Sequence, residues 1–122
     1  RVAVPHAGLI TVAPMSVTPE GLGFIGWAAR CTATRAAARA NFAKWSPHHA
    51  ADQIKTPTLV ITNELDYRVP VDQGLQLFNT LRRNGVPSEA LVFPDEGHWV
   101  LKPRNSQFWH QTVFTWLPQY LN

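Results

Sequence analysis

The chain has 122 residues, 45% of them hydrophobic, and a formal charge of +3 at pH 7, which bounds it to one domain of ordinary globular composition. Uninterrupted apolar runs, such as 59–61 and 91–93, are far too short to cross a bilayer, and a lone cysteine, Cys31, excludes an internal disulfide. The excess charge sits in residues 1–50, where Arg1, Arg30, Arg35, Arg39 and Lys44 face Glu20 alone; alanine and threonine rather than stacking aromatics separate these cations, which argues against a nucleic-acid surface.

In chain order, residues 1–4 read as a brief strand, with no secretory-leader pattern at Arg1. Residues 16–44 are irregular in pattern, with Gly21, Gly23 and Gly26 among them, and the Ala/Arg-rich part at 33–40 suits an exposed helix. Cys31 reads as a small buried hydrophobe. In "WSPHHAADQI" (45–54), Ser46 can cap and Pro47 can open a short helix. "TPTLVIT" (56–62) predicts a strand entered through Pro57, followed by a loop over 63–70. The stretch "VDQGLQLFNTLRRNG" puts Val71, Leu75, Phe78 and Leu81 on one helical face and stops at Gly85.

"SEALVF" (88–93) predicts the next strand, and the loop 94–104 follows it, with Asp95 and Glu96 as turn formers. Asn105 or Ser106 can cap a last helix, whose stripe of Trp109, Val113, Trp116, Leu117 and Tyr120 suits core packing. Pro118 removes one backbone bond from its final turn. No internal repeat is present.

Strand, helix and strand within so short a span imply parallel strands joined by a right-handed crossover. Asp66 and His98 each follow the C-terminal end of one of these strands, so both emerge at the sheet edge where open parallel sheets place their reactive groups. Neighbouring strands lie roughly 4.8 Å apart, close enough for two short loops to bring the carboxylate onto the imidazole. A turn at Glu96 and Gly97 would lift His98 toward Asp66. A carboxylate accepting the Nδ1 hydrogen leaves Nε2 free to take a proton from a nucleophile.

No nucleophile accompanies the pair. The chain contains no G-x-S-x-G, and Ser16, Ser46, Ser88 and Ser106 fall in loop, cap or strand-start contexts. Other features read as structural. Adjacent helical residues such as His48 and His49 point in different directions, so they do not form a metal site. Asp95 and Glu96 share one turn and cannot flank a glycosidic bond. Tyr67 and Trp99 read as packing residues, and His6 and His110 carry no signal.

The ordered pair "TPTLVITNELDYRVP" and "GVPSEALVFPDEGHW" resembles the C-terminal end of the catalytic domain of the prolyl oligopeptidase family, in its dipeptidyl- and acylaminoacyl-peptidase branches. The resemblance implies an α/β chain, the C-terminal portion of an α/β-hydrolase fold truncated at its N-terminus, with residues 1–122 forming part of a peptidase catalytic domain. It implies a serine-type peptidase with Asp66 as triad acid, His98 as triad base and Arg68 as a contact for a substrate carbonyl, with no metal or other cofactor. "RVAVPHAGLI" is similar to the family strand that follows the nucleophile's helix. That would put the serine, the oxyanion donors and the substrate-filtering β-propeller in an N-terminal part of the same polypeptide, and leave the isolated 122 residues inactive.

Two departures stand out. Asn63 occupies a position where the family more often has glycine, and residues 16–40 are atypical, an insertion or a frame slip. The partner implied is a peptide substrate rather than nucleic acid or membrane. An esterase on the same fold and a non-catalytic interaction fragment remain the alternatives.

Overall fold

The computed structural model describes residues 2–5, 40 and 44–121. The expected irregular stretch and helix within 16–40, and with them Cys31, His6 and Ser16, lie outside these residues, Ala40 apart. The centre is a parallel pair. β1 (Thr58–Asn63) lies beside β2 (Ser88–Phe93), with Thr58 opposite Ser88 and Asn63 opposite Phe93. The crossover between them is α1 (Val71–Arg83), and α2 (Pro103–Trp116) follows β2. Pro47–Gln53, expected as a short helix, is a 3-10 turn, with Ser46 and Pro47 in the cap and first positions anticipated.

β1 is buried at all six positions because both of its faces are covered and both of its edges are flanked. β2 pairs along one edge. On the other, residues 2–5 run parallel and make a single bridge, Ala3 to Thr58, rather than a full strand. The Leu59 N–H donates to Ala3 O at 2.9 Å and the Ile61 N–H to Pro5 O at 3.0 Å.

Side chains alternate across a strand, so β1 serves two cores. Leu59 and Ile61 pack with Phe93, Val113 and Trp116 beneath α2, and Val60 packs with Leu81 and Val86 beneath α1. The five residues of the expected stripe do pack together, Trp109, Val113 and Trp116 from α2 and Leu117 and Tyr120 from just beyond its end. At Pro118 the α-helix gives way to a 3-10 turn, Leu117–Gln119.

The start of α2 and the inner face of α1 differ from the sequence reading. Helix α2 begins at Pro103 rather than after an Asn105 or Ser106 cap. Proline lacks an N–H and has a fixed φ, so it suits this first position. On α1 the buried positions are Gln73, Gly74 and Leu81, while Leu75 is exposed. Gly74 causes the rotation: a Cβ built there would stand 2.8 Å from Thr62 Cβ, so the helix meets β1 through backbone.

The stop at Gly85 is as expected, and its mechanism is visible. Gly85 has φ +71°, the Gly85 N–H donates to Arg82 O and the Val86 N–H to Leu81 O, while Val86 packs on Leu81. This closure satisfies the last carbonyls of the helix and adds an apolar contact across the turn.

Candidate functional site

Register decides where the site lies. Asn63 and Phe93 are the last, paired residues of their strands, so the loops 64–70 and 94–102 leave the sheet at one level. Backbone bonds then join the loops to each other: the Glu64 N–H donates to Phe93 O at 2.9 Å and the Leu65 N–H to Glu96 O at 3.1 Å. The Asn63 side chain adds a third tie, with Nδ2 donating to Gly97 O at 2.6 Å.

Asp66 and His98 meet at this rim. Asp66 Oδ2 lies 2.9 Å from His98 Nδ1, and Asp66 is only 3% exposed. Its other oxygen, Oδ1, accepts the N–H groups of Arg68 and Val69, each at 2.9 Å. Two backbone donors thus pin the carboxylate and leave one oxygen for the ring. That oxygen can only accept, so the ring carries its hydrogen on Nδ1 and keeps the Nε2 lone pair free. Such a histidine can accept a proton at Nε2, and the carboxylate behind it stabilises the imidazolium that forms.

The turn after β2 involves Pro94 and Asp95 rather than Glu96 and Gly97, which lie beyond it and are held by the neighbouring loop. Glu96 is not a surface turn former. It is 3% exposed, and its carboxylate accepts the N–H groups of Leu101 at 3.1 Å and Lys102 at 3.0 Å, with Asn105 Nδ2 at 2.8 Å. Burial pushes this carboxyl up, but the hydrogen bonds from Asn105, Leu101 and Lys102 outweigh it and hold the group below the usual glutamate value. Asp95 is likewise lowered, chiefly by the Lys102 ammonium and then by Asn105.

Arg68 is exposed, beside the acid it helps to orient through its backbone. Tyr67 and Trp99, expected to pack, are instead 70% and 60% exposed. The Trp99 ring stands edge to face with His98 at 4.9 Å between centroids.

Away from the rim, His48 and His49 are exposed with rings 3.9 Å apart, and His110 Nδ1 lies 2.8 Å from Ser106 O. Ser88 donates its hydroxyl to Val86 O at the far end of β2 from His98. Among the described residues no group of three or more potential ligands could hold a metal, and no helix is long and apolar enough to cross a membrane.

Glu96 and Asn63 are the site residues the sequence reading missed. In the sequence residue 63 stands out only as a departure from glycine, and the tie it makes to Gly97 explains what the larger side chain does there.

The model of the prolyl oligopeptidase family matches residues 1–122. Dipeptidyl-peptidase 5 of Porphyromonas endodontalis is 39% identical over 121 residues, which cover 97% of this chain and 17% of that protein. A probable dipeptidyl-peptidase 5 of Aspergillus terreus is 43% identical over 122 residues, 98% of this chain and 16% of that protein. The chain therefore spans about a sixth of the length of these relatives. In fold it is similar to the acylaminoacyl peptidase of Pyrococcus horikoshii, with a TM-score of 0.79 at 23% identity, over 95% of this chain and 19% of that one. The fold is thus the C-terminal α/β-hydrolase part of such a peptidase, with parallel strands, a crossover helix between them and a second helix after them. With a family match that runs from the first residue to the last, and two residues in five shared with relatives over nearly its full length, this chain belongs to the prolyl oligopeptidase family.

Proposed function

We propose that residues 1–122 are part of the catalytic domain of a serine peptidase, contributing the acid and the base of a Ser-Asp-His triad while an N-terminal part of the same polypeptide contributes the nucleophile. The observation that carries this reading is the 2.9 Å contact of a buried Asp66 with His98 Nδ1 at the end of paired parallel strands. The substrate we propose is a peptide. Because the curated relatives are named dipeptidyl-peptidases, the cut proposed is one that releases a dipeptide.

In this mechanism the serine hydroxyl attacks the scissile carbonyl as His98 Nε2 takes its proton. Asp66 keeps the ring oriented and stabilises the imidazolium. The imidazolium then gives the proton to the departing amine, and water, activated by the same nitrogen, releases the acyl group. Arg68 is proposed to contact a substrate carbonyl through its guanidinium. The isolated 122 residues, with acid and base but no nucleophile, are proposed to be inactive.

The test uses the full-length polypeptide with a dipeptidyl chromogenic substrate and a fluorophosphonate probe. Wild type turns over substrate and is labelled on one serine, and His98→Ala abolishes both. Turnover that survives His98→Ala would overturn the reading. Turnover of esters with none of peptides would replace the peptidase with an esterase.

A further inference from the structure

Residues 94–102, between β2 and α2, form neither helix nor strand, and Gly97 immediately precedes His98. A free loop of this kind would scatter the imidazole over many positions, because each unfixed residue keeps its conformational entropy. A base must instead be held in near-attack geometry. Asn63 ties it from outside at Gly97, and one side chain of the loop itself, Glu96, closes it from within.

We propose that Glu96 is a positioning residue for His98: its carboxylate closes the loop around the imidazole by taking the Leu101 and Lys102 N–H groups, while its carbonyl fastens the same loop to the one carrying Asp66. The inference rests on His98 being the base of the proposed peptidase. The N–H donors lie five and six residues beyond Glu96, so the carboxylate spans the segment containing His98 as a chord spans an arc. Asn105 completes the set from the first turn of α2 and ties the loop to a rigid element.

Glu96 is excluded as a second proton carrier by the same bonds. Both of its oxygens are already accepting, Oε2 from Leu101 and Oε1 from Lys102 and Asn105, and the group is buried. A buried carboxylate facing three N–H donors is strongly oriented, since charge-assisted bonds are shorter and stronger than neutral ones. Asp66 uses the same device on its own loop, with Oδ1 spanning to Arg68 and Val69. Two carboxylate-closed loops therefore face each other, and the Asp66–His98 bond joins them.

The experiment is steady-state kinetics on the full-length polypeptide carrying Glu96→Ala, Glu96→Gln, Asn105→Ala, Val86→Ala or His98→Ala. Misplacing a reactive group by about 1 Å costs on the order of 100-fold. Glu96→Ala is expected to lower kcat by about that factor, with KM within about twofold of wild type, because the interaction lost serves the transition state rather than binding. Glu96→Gln, which keeps one acceptor oxygen, should recover part of the loss, and Asn105→Ala should lose less than Glu96→Ala. Val86→Ala weakens the core under α1, at the opposite end of β2 from this loop, and should lower the melting temperature without lowering kcat.

Wild-type kcat in Glu96→Ala would overturn the proposal. So would equal kcat losses in Glu96→Ala and Val86→Ala at matched melting temperatures, which would reduce Glu96 to a stability role. If Glu96→Ala fails to fold, Glu96→Gln and Asn105→Ala decide: wild-type kcat in both overturns the proposal, and graded losses at constant KM support it. Activity in His98→Ala would instead mark failure of the underlying peptidase assignment.

Discussion

The side-chain amide of Asn63 reaches the carbonyl of Gly97 at 2.6 Å, across 34 positions of sequence, one residue before the imidazole that Asp66 holds. Its other atom, Oδ1, is buried with no hydrogen-bond partner among the described residues. One half of the amide therefore secures the histidine loop while the other half carries a desolvation cost, and this asymmetry makes residue 63 a sensitive place to test the site.

Replacing Asn63 by alanine removes both halves at once. The lost bond is worth about 0.5–1.5 kcal/mol, and removal of the unsatisfied oxygen offsets much of it. Urea denaturation should show a net change below about 1 kcal/mol. Asn63→Asp has the opposite balance, because it sets an anion against the Gly97 carbonyl in a buried position, and should destabilise by roughly 3 kcal/mol.

Asp66→Asn tests the tautomer. The N–H groups of Arg68 and Val69 demand an oxygen at the Oδ1 position, so the new NH2 must point at His98 Nδ1. That turns Nδ1 into an acceptor and puts the hydrogen on Nε2, where the free lone pair is needed. In the full-length polypeptide kcat should fall by about 10⁴-fold, with little change in KM or in circular dichroism.

At Gly74 two effects compete. Alanine is favoured over glycine in a helix by about 1 kcal/mol. Against this, a Cβ would lie 2.8 Å from Thr62 Cβ and 3.0 Å from its Cγ2, with Thr62 itself buried in β1. Overpacking of this kind costs about 1–3 kcal/mol, so Gly74→Ala should be a net loss. Thermal melts of Gly74→Ala, Thr62→Ala and the double variant should show a favourable coupling, since the smaller residue at 62 makes room for the methyl.

The loop also sets an acid limb of stability. Glu96 and Asp95 both titrate below their ordinary values of 4.5 and 3.8 in the folded chain. Each therefore binds its proton more readily when unfolded, and stability rises with pH across this region. The contribution is complete above about pH 5, begins to fall as pH drops below the unfolded values, and is lost through the lower folded ones. Denaturation midpoints measured from pH 3 to pH 7 should flatten in Glu96→Gln. They should change little in Asp95→Asn, because exposed pairs are screened by solvent.

Much of this was legible because it is written in local period. The apolar run of β1, the stripe leading into α2's end and the stop at Gly85 each depend on residues within a few positions of one another, and each is found, although β1 spans 58–63 rather than 56–62. The meeting of Asp66 with His98 followed from parallel pairing, which constrains both loops at once. What escaped depends on contacts between distant parts of the chain. Leu75 faces solvent because Gly74 rests on Thr62 of β1. Glu96 looked like a turn residue because its partners belong to the approach and first turn of α2. Tyr67 and Trp99 read as packing residues yet face solvent, because aromatic character alone does not say which way a loop residue points.

The equal lengths of β1 and β2 act as a ruler for the chemistry. A strand advances about 3.3 Å per residue, so adding or deleting one residue within 58–63 or 88–93 would lift one loop by more than the reach of a hydrogen bond. It would also turn every following side chain of that strand to the opposite face. Within these twelve positions the spacing is fixed, and the amide of Asn63 is fixed with it by its bond to Gly97.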